Sequence, residues 1–515
     1  ERQMDERARL LRLCPLILIP CVIALVALTF MSPQFLGIQA DEFHSVWPAQ
    51  RLLRGDLPYV DVFAHRPPMD LLTNAAALAI FGDSLTASRI LQVLSMVVAG
   101  YLLFALLRGW GASAWEAGAG ALIPACVCFP FWPIPSAHWQ SLPFALGAIL
   151  LLESVLRSEE DSTPIGRLLG AGALAGLAGL TIQTEGAVAC AWIFFRALGG
   201  PAPRKHLPLL LAGIATPLLI SAAALLAVGG LGAAYQCLVY FPMYHYKPGF
   251  NDVPFLESIR FAFGFTHENY GLAGVALFGI AAVFPVGALG LSLVRAFRQR
   301  TRRDIASAAG MLAVVAVFFK ARPDWAHLMF FVPYLLVGFF EVTLRDDTHR
   351  RVRQAAWAWL GLSLLVSSGL FLSSWSRGIR PNQALALDLD QRIFVTSVLS
   401  GLPPELRAEP VLSLPYGASF YFFREGDTPG IDWLCLPSYG YSAAEHHQQV
   451  ADWVEERRVP VVVILRTPRG VGFLREPSPL KDALQNYKLY GVTGDRMIFV
   501  RSEIHARLMR GEAPR

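Results

Sequence analysis

About eleven apolar segments follow one another along this sequence, separated by short polar stretches. A segment that crosses a bilayer must satisfy its own backbone groups, so an apolar run of roughly 20 residues predicts a transmembrane helix. Several of the segments are somewhat shorter than that. They cover residues 15–32, 84–107, 113–131, 139–156, 168–182, 184–198, 207–229, 272–296, 305–320, 327–343 and 355–375. The sequence therefore predicts a polytopic α-helical membrane protein.

The charge content excludes an ordinary soluble protein. Only 16% of the residues are charged and 54% are hydrophobic, with a mean hydropathy of +0.44. A soluble globular chain carries about 25% charged residues, because its surface faces water. The net charge of +5 is modest, and the basic residues lie in short loops between apolar runs. They indicate topology and not a nucleic-acid surface, so no nucleic-acid partner is expected.

The loop charges predict which side of the membrane each loop faces. Cationic residues concentrate in alternate loops, which by the positive-inside rule face the cytoplasm. The N-terminus is then cytoplasmic and the C-terminus extracytoplasmic, provided that 168–182 and 184–198 form two helices joined by a tight turn at Gln183-Thr184-Glu185-Gly186. The first apolar run follows several arginines, as in a signal peptide, but its length favours a retained span. The inside loops carry Arg108, Arg157, Arg167, Arg196, Arg204, Lys205, Arg295, Arg298, Arg300, Arg302, Arg303, Arg345, Arg350, Arg351 and Arg353.

Two domains are predicted. Residues 1–375 form the transmembrane domain, with a first outer loop at 33–83 and a second long outer loop at 230–270. Residues 376–515 form a soluble extracytoplasmic α/β domain, because short β-branched runs alternate there with amphipathic stretches. Its predicted strands are Val411–Leu414, 461–465 and 496–500, and its predicted helices are 442–457 and 479–487.

The first outer loop opens with adjacent carboxylates, Asp41 and Glu42, directly after a span. Two carboxylates at a membrane surface repel each other and lose hydration, which favours a protonated form of one near neutral pH and suits a general base. The alternative is a solvated loop whose acidic residues cap helices.

The whole loop resembles the first outer loop of the GT-C glycosyltransferases that use polyprenyl-phosphate sugars, in particular the branch with the protein O-mannosyltransferases and the lipid A aminoarabinose transferase. In that branch an acidic pair, a Gly-Asp turn with proline, a basic-Pro-Pro element and an arginine entering the second span follow in this order. The resemblance implies that Asp41 deprotonates the acceptor hydroxyl. The matching residues are Asp41-Glu42, Gly55-Asp56, Pro58, Arg66-Pro67-Pro68, Phe81-Gly82 and Arg89.

Further polar residues at the predicted outer face are candidates for binding the donor phosphate and sugar. Arginine suits phosphate because its forked donors match the oxygens. The alternatives are cations that snorkel at helix ends and an aromatic belt at the interface. Relatives often have an acidic residue near Gln140 and a lysine near Gln183, and these departures leave room for a catalytically silent homologue. The candidates are His65, Arg66, His138, Gln140, Tyr244, Lys247, Lys320, Arg322, Asp324 and His327.

No cofactor is expected to be required, although outer histidines with Asp41 and Glu42 leave a divalent metal site open as an alternative. These histidines are His44, His65, His138, His245, His267 and His327.

The leading hypothesis is an inverting hexosyl- or pentosyltransferase in a bacterial inner membrane. It takes one sugar from a polyprenyl-phosphate donor to a glycan, lipid or protein acceptor on the outer face. A membrane-complex scaffold and a lipid-linked glycan transporter are the alternatives. A transporter is less favoured, because the charges cluster at the rim and no internal repeat is evident.

Overall fold

The computed structural model describes residues 2–32, 40–158, 164–245, 255–344, 350–385, 395–414, 418–423, 444–475 and 477–512. Among them, eight helices are long and apolar enough to cross a membrane. Three further helices, α1, α7 and α8, lie at the remaining predicted spans, so each of the eleven predicted spans falls on a helix. The fold is that of a multi-pass helical membrane protein with a small sheet near its C-terminus. The helices of the bundle are α1 Arg2–Phe30, α4 Leu85–Gly109, α5 Ala114–Phe131, α6 Ala137–Leu156, α7 Ile165–Thr181, α8 Gln183–Leu198, α9 Pro203–Ala227, α11 Phe255–Gln299, α12 Arg302–Ala321, α13 Trp325–Thr343 and α14 Arg350–Ser376.

Both predicted outer loops contain helices. The first holds α2, Ala40–Leu53, and α3, Pro68–Phe81. The second holds α10, Leu231–Tyr235, which continues as a π-helix over Gln236–His245, and the first part of α11. Gly271 has a φ of 65°, which breaks helix α11 at this point. The part of α11 after this break is the span predicted at 272–296.

The predicted segments 168–182 and 184–198 form two separate helices, α7 and α8. Ile182 has extended backbone angles between α7 and α8, so the chain reverses there. The helices then approach closely because both carry glycine: a Cβ on Gly186 would lie 2.1 Å from the Cα of Gly179. Glycines of α7 also let α9 pack tightly, since a Cβ on Gly172 would lie 2.2 Å from the Leu210 carbonyl oxygen.

A buried network of charges joins four helices at the other end of α8. Arg196 donates from Nε to Glu153 at 2.7 Å and from a terminal nitrogen to Ser307 at 3.3 Å. Ser307 in turn donates to Glu341 at 2.7 Å, and Arg303 pairs with the same carboxylate at 3.2 Å. The prediction that Arg196 is a cation of an inside loop is wrong, because Arg196 is a buried residue of the last helical turn of α8.

The C-terminal region forms a four-stranded sheet in the order β1-β2-β4-β3. The strands are β1 Val411–Leu414, β2 Val461–Leu465, β3 Tyr487–Thr493 and β4 Arg496–Arg501; β1 and β2 are parallel, and the other pairs are antiparallel. The three predicted strands are confirmed. The prediction of helix over 479–487 is wrong at its end, because Tyr487 begins β3. The helices of this region include α15 Pro381–Leu385, α16 Ala418–Phe423, α17 Ala444–Glu456, α18 Pro468–Arg475, α19 Pro479–Leu484 and α20 Ser502–Met509.

The first outer loop and the C-terminal sheet share one hydrophobic core. Phe43 and Trp47 of α2 pack against Phe422 and Tyr421 of α16, with ring centroids 5.8 Å apart in each pair. Gln50 also donates a hydrogen bond to the Phe422 carbonyl at 3.3 Å. The helix that begins with the acidic pair is therefore held by the C-terminal region.

Candidate functional site

The acidic pair lies in the first turn of α2, and its two members differ in what can be described. Asp41 belongs to the helix, but its side chain lies outside the described part of the structure. Glu42 is buried and accepts from Nε and a terminal nitrogen of Arg89 at 2.9 and 3.1 Å. The charge of Glu42 is therefore balanced by Arg89. Because Glu42 is not a free carboxylate, the repulsion expected between two free carboxylates does not apply to it.

Arg89 connects α2 to two more distant parts of the chain. Its remaining terminal nitrogen donates to the carbonyl oxygens of Met31 at 3.0 Å and Ala384 at 2.5 Å. These atoms belong to the end of the first span and to α15. The buried guanidinium of Arg89 thus fixes the beginning of α2, where the acidic pair lies.

Arg66 occupies the centre of the first outer loop. Its guanidinium donates to the Ser45 hydroxyl and lies 3.9 Å from the Asp70 carboxylate. Its carbonyl oxygen accepts a 2.9 Å hydrogen bond from the Tyr59 hydroxyl. Tyr59 is buried and has a φ of 70°, an uncommon conformation for a residue with a bulky side chain. Such strain at a non-glycine residue is frequently found at functional sites.

His65 lies beside Arg66 among rings. Its ring centroid is 5.3 Å from that of His44 and 6.3 Å from that of Phe241, which belongs to the second outer loop. Burial, together with the neighbouring His44 and Arg66 charges, lowers the pKa of His65 well below its usual range. His65 is therefore a neutral imidazole at neutral pH, able to accept or donate one hydrogen bond.

Two histidine–carboxylate pairs meet where α6, α8 and α13 begin. His138 Nδ1 lies 2.5 Å from Glu185 Oε1, and His327 Nδ1 lies 2.7 Å from Asp324 Oδ1. The two imidazole centroids are 5.1 Å apart, and Phe330 stacks on His138 at 4.1 Å. Each carboxylate orients one ring, so the cluster combines two fixed imidazoles whose other nitrogens can contact a ligand.

Arg322 completes this cluster. Its Nε lies 2.7 Å from Asp324 Oδ2, so Asp324 contacts both a guanidinium and an imidazole. Burial alone raises the pKa of the Asp324 carboxyl, but His327 and Arg322 outweigh it and hold that pKa well below its usual range. Arg66 acts electrostatically on His138, which brings the first outer loop to the same place.

A neutral polar network lies next to the charged cluster. Asn74 donates to Gln140 Oε1 at 3.2 Å, and Ser88 donates to Asn74 Oδ1 at 3.0 Å. Asp70 Oδ2 and Gln140 Nε2 are buried and have no hydrogen-bond partner among the described residues. Such atoms indicate a place where a water or a ligand hydroxyl is bound.

The structure thus brings together seven of the ten residues predicted to bind the donor. Lys320 is exposed, and Tyr244 is exposed beside Tyr240. Lys247 and the side chain of His245 lie outside the described residues, and His267 is exposed. Within the described part of the chain, no group of three or more His, Cys, Asp or Glu side chains is arranged to hold a metal ion. The seven gathered residues are His65, Arg66, His138, Gln140, Arg322, Asp324 and His327.

Glu185 was missed as a site residue. The sequence pattern predicts a turn at this residue, whereas the structure buries it fully and pairs it with His138. The signal was present in the sequence, because an ionisable residue between two apolar helices is a functional candidate by default.

Comparison with known proteins identifies the fold. Residues 65–228 match the model of the dolichyl-phosphate-mannose-protein mannosyltransferase family. No curated protein sequence matches the chain. The structure is similar to ArnT from Cupriavidus metallidurans in the apo state, with 12% identity and a TM-score of 0.58 over 97% of this chain and 99% of that one.

The same ArnT bound to undecaprenyl phosphate gives 12% identity and a TM-score of 0.55, covering 94% of this chain and 96% of that one. The Archaeoglobus fulgidus oligosaccharyltransferase in complex with Zn and sulfate gives 14% identity and a TM-score of 0.50, covering 94% and 73%. These similarities confirm the resemblance predicted from the first outer loop.

Proposed function

From the GT-C glycosyltransferase fold that the chain shares with these structures, we propose that it moves one sugar from a polyprenyl-phosphate carrier to a glycan, lipid or protein acceptor. The reaction takes place on the extracytoplasmic side of a bacterial inner membrane, with the N-terminus in the cytoplasm. The observation that carries this proposal is the gathering of Arg66, Arg322 and the His138 and His327 pairs at one end of the bundle. Two guanidinium groups and two oriented imidazoles form a site suited to a phosphate.

Asp41 is the proposed base. Helical periodicity supports this role, because position 41 precedes Ser45 by one turn on the same side of α2, and Ser45 accepts from Arg66. The acceptor oxygen forms a bond to the anomeric carbon while the bond from that carbon to the phosphate oxygen breaks. The hydroxyl proton goes to Asp41, and the polyprenyl phosphate leaves with the electron pair. Attack opposite the leaving group inverts the anomeric configuration.

Glu42 has a different proposed role from Asp41. Because Arg89 engages both of its oxygens, Glu42 positions α2 and does not accept the acceptor proton. Arg66 and Arg322 offset the charge that develops on the departing phosphate. His327, oriented by Asp324, and His138, oriented by Glu185, contact the same oxygens.

The test separates donor binding from transfer. Full-length Asp41→Asn should bind undecaprenyl phosphate as the wild type does, whereas Arg66→Ala should bind it at least tenfold more weakly by thermal shift and native mass spectrometry. In cells lacking the gene, mass spectrometry of lipids and glycans should show a missing sugar that wild type restores and Asp41→Asn does not. Asp61→Asn is the matched control, since Asp61 is exposed and its carboxylate accepts from the Leu57 amide of the same loop.

The scaffold hypothesis makes the opposite prediction. If Asp41→Asn restores the missing sugar fully, Asp41 is not the base. If Arg66→Ala binds undecaprenyl phosphate as tightly as wild type, the cluster is not the phosphate site. Asp61→Asn should restore the sugar in either case.

A further inference from the structure

An apolar groove lies between α8 and α9, away from the candidate site. It encloses about 270 Å³ and is lined by Phe194 and Phe195 of α8 and by Leu207, Leu211 and Ile214 of α9. Glu185 belongs to the first turn of α8, whereas the groove residues belong to its second half and to the first half of α9. The groove is therefore near the end of the bundle that the Arg196 network occupies.

A buried imidazole, that of His206, lies one helical turn from a groove residue. His206 is 6% exposed, and its Nδ1 has no hydrogen-bond partner among the described residues. It precedes Leu210, a groove residue, by one turn on the same side of α9. A buried ring nitrogen of this kind is normally satisfied by a water, an ion or a ligand.

Two exposed cations directly precede His206 at the start of α9. Arg204 and Lys205 are both exposed, and Ala202 supplies no side-chain cap to the helix. The positive end of the helix dipole adds to the charge of these side chains. The two cations, the buried ring nitrogen and the first groove residue of α9, Leu207, thus lie within one helical turn.

We propose that this groove binds one anionic phospholipid, with an acyl chain between α8 and α9 and the headgroup phosphate beside Arg204, Lys205 and His206. An acyl chain gains little by exchanging other lipid tails for an apolar groove, so the headgroup must provide the selectivity. Each cation near a membrane surface strengthens the attraction of an anionic lipid roughly fivefold. The His206 nitrogen finds its partner in a phosphate oxygen.

The experiment uses the delipidated full-length protein in detergent and native mass spectrometry. Phosphatidylglycerol should be retained at one copy per chain, and phosphatidylcholine with the same acyl chains should not. The double variant Arg204→Ala/Lys205→Ala should weaken retention roughly 25-fold, and Leu211→Trp, which fills the groove, should weaken it while the melting temperature stays within a few degrees.

The matched control removes equal charge elsewhere. Arg298 and Arg350 are exposed cations on α11 and α14, which do not form the groove. Arg298→Ala/Arg350→Ala should retain phosphatidylglycerol as the wild type does. Equal retention of phosphatidylcholine, equal loss in both double variants, or displacement by undecaprenyl phosphate at equal concentration would each overturn the proposal.

Discussion

The carboxylate of Glu42 receives two hydrogen bonds from the guanidinium of Arg89, and both side chains are almost completely buried. A charge pair of this kind stabilises the protein only while both partners are present, because removal of one leaves an unpaired charge in a medium of low dielectric constant. The pair also fixes α2 against the end of the first span. A helix that presents a catalytic residue needs such support.

Replacement of Glu42 by Gln should therefore act on stability. We expect a loss of about 3–5 kcal/mol, the usual cost of breaking a buried pair, measured as a lower melting temperature in detergent. The double variant Glu42→Leu/Arg89→Met should lose less than either single variant, because it leaves no unpaired charge. A Glu42→Gln protein that melts like the wild type but transfers no sugar would instead assign the chemistry to Glu42.

His65 should make stability depend on pH. Its pKa is lowered in the folded protein by burial and then by the His44 and Arg66 charges. The unfolded chain therefore binds a proton at higher pH than the folded protein does. The contribution of His65 to the free energy of unfolding is fully present above the pKa of about 6.5 in the unfolded chain. It falls as the pH drops below that pKa, by at most about 1.4 kcal/mol per pH unit.

The measurement is the melting temperature between pH 8 and pH 5 for the wild type and His65→Gln. The variant should show the smaller decline on acidification. His267→Gln is the control, since His267 is exposed, and it should decline as the wild type does. Identical declines for His65→Gln and wild type would contradict the assigned pKa direction.

Glu185 should contribute to phosphate binding through His138 and not by itself. The 2.5 Å contact of Glu185 with the imidazole fixes the orientation of the His138 ring. We expect Glu185→Gln and His138→Asn each to weaken undecaprenyl phosphate binding about tenfold, and the double variant to weaken it little more than either alone. Additive losses in this cycle would show that the two residues act independently.

The spans were predictable because every helix that crosses a bilayer must satisfy its own backbone hydrogen bonds and present apolar side chains to the lipid. Each of the eleven runs falls on a helix, and even the hairpin at Ile182 could be located from the polar residues that interrupt two apolar stretches. The strand β3 could not be predicted, since its residues are largely exposed and follow a helical pattern without an intervening turn signal.

The site was predictable only in part, because its residues come from segments far apart in the chain. The sequence of the first outer loop was sufficient to predict Arg66 and His65, because they lie next to each other in it. The contact of His138 with His327 joins residues separated by almost two hundred positions, and no local pattern encodes it. Arg89 was recognised as a motif residue, but its bond to the Ala384 carbonyl depends on the folded C-terminal region.

The C-terminal region should be needed for transfer through its contact with α2. Tyr421 is fully buried against Trp47, and Phe422 packs on Phe43. Phe422→Ala should lower stability by about 3–5 kcal/mol and reduce sugar transfer in cells, while undecaprenyl phosphate binding at low temperature stays within threefold. Tyr490→Ala, which truncates a partly exposed ring of β3, should change neither. If Phe422→Ala transfers sugar as the wild type does, the contact between the C-terminal region and α2 is not needed for transfer.

The close approach of α7 and α8 places a strict limit on residue size. A Cβ on Gly186 would lie 2.1 Å from the Cα and 2.4 Å from the amide nitrogen of Gly179, and backbone atoms cannot rotate away as a side chain does. Gly186→Ala should therefore separate the hairpin and displace Glu185, the preceding residue. We expect a loss at or above the upper end of the roughly 1–3 kcal/mol typical of overpacking, with weaker undecaprenyl phosphate binding. Gly287→Ala is the control, because a Cβ there meets nothing within 4 Å; it should melt at or slightly above the wild-type temperature, and a Gly186→Ala protein that did the same would contradict the packing of this hairpin.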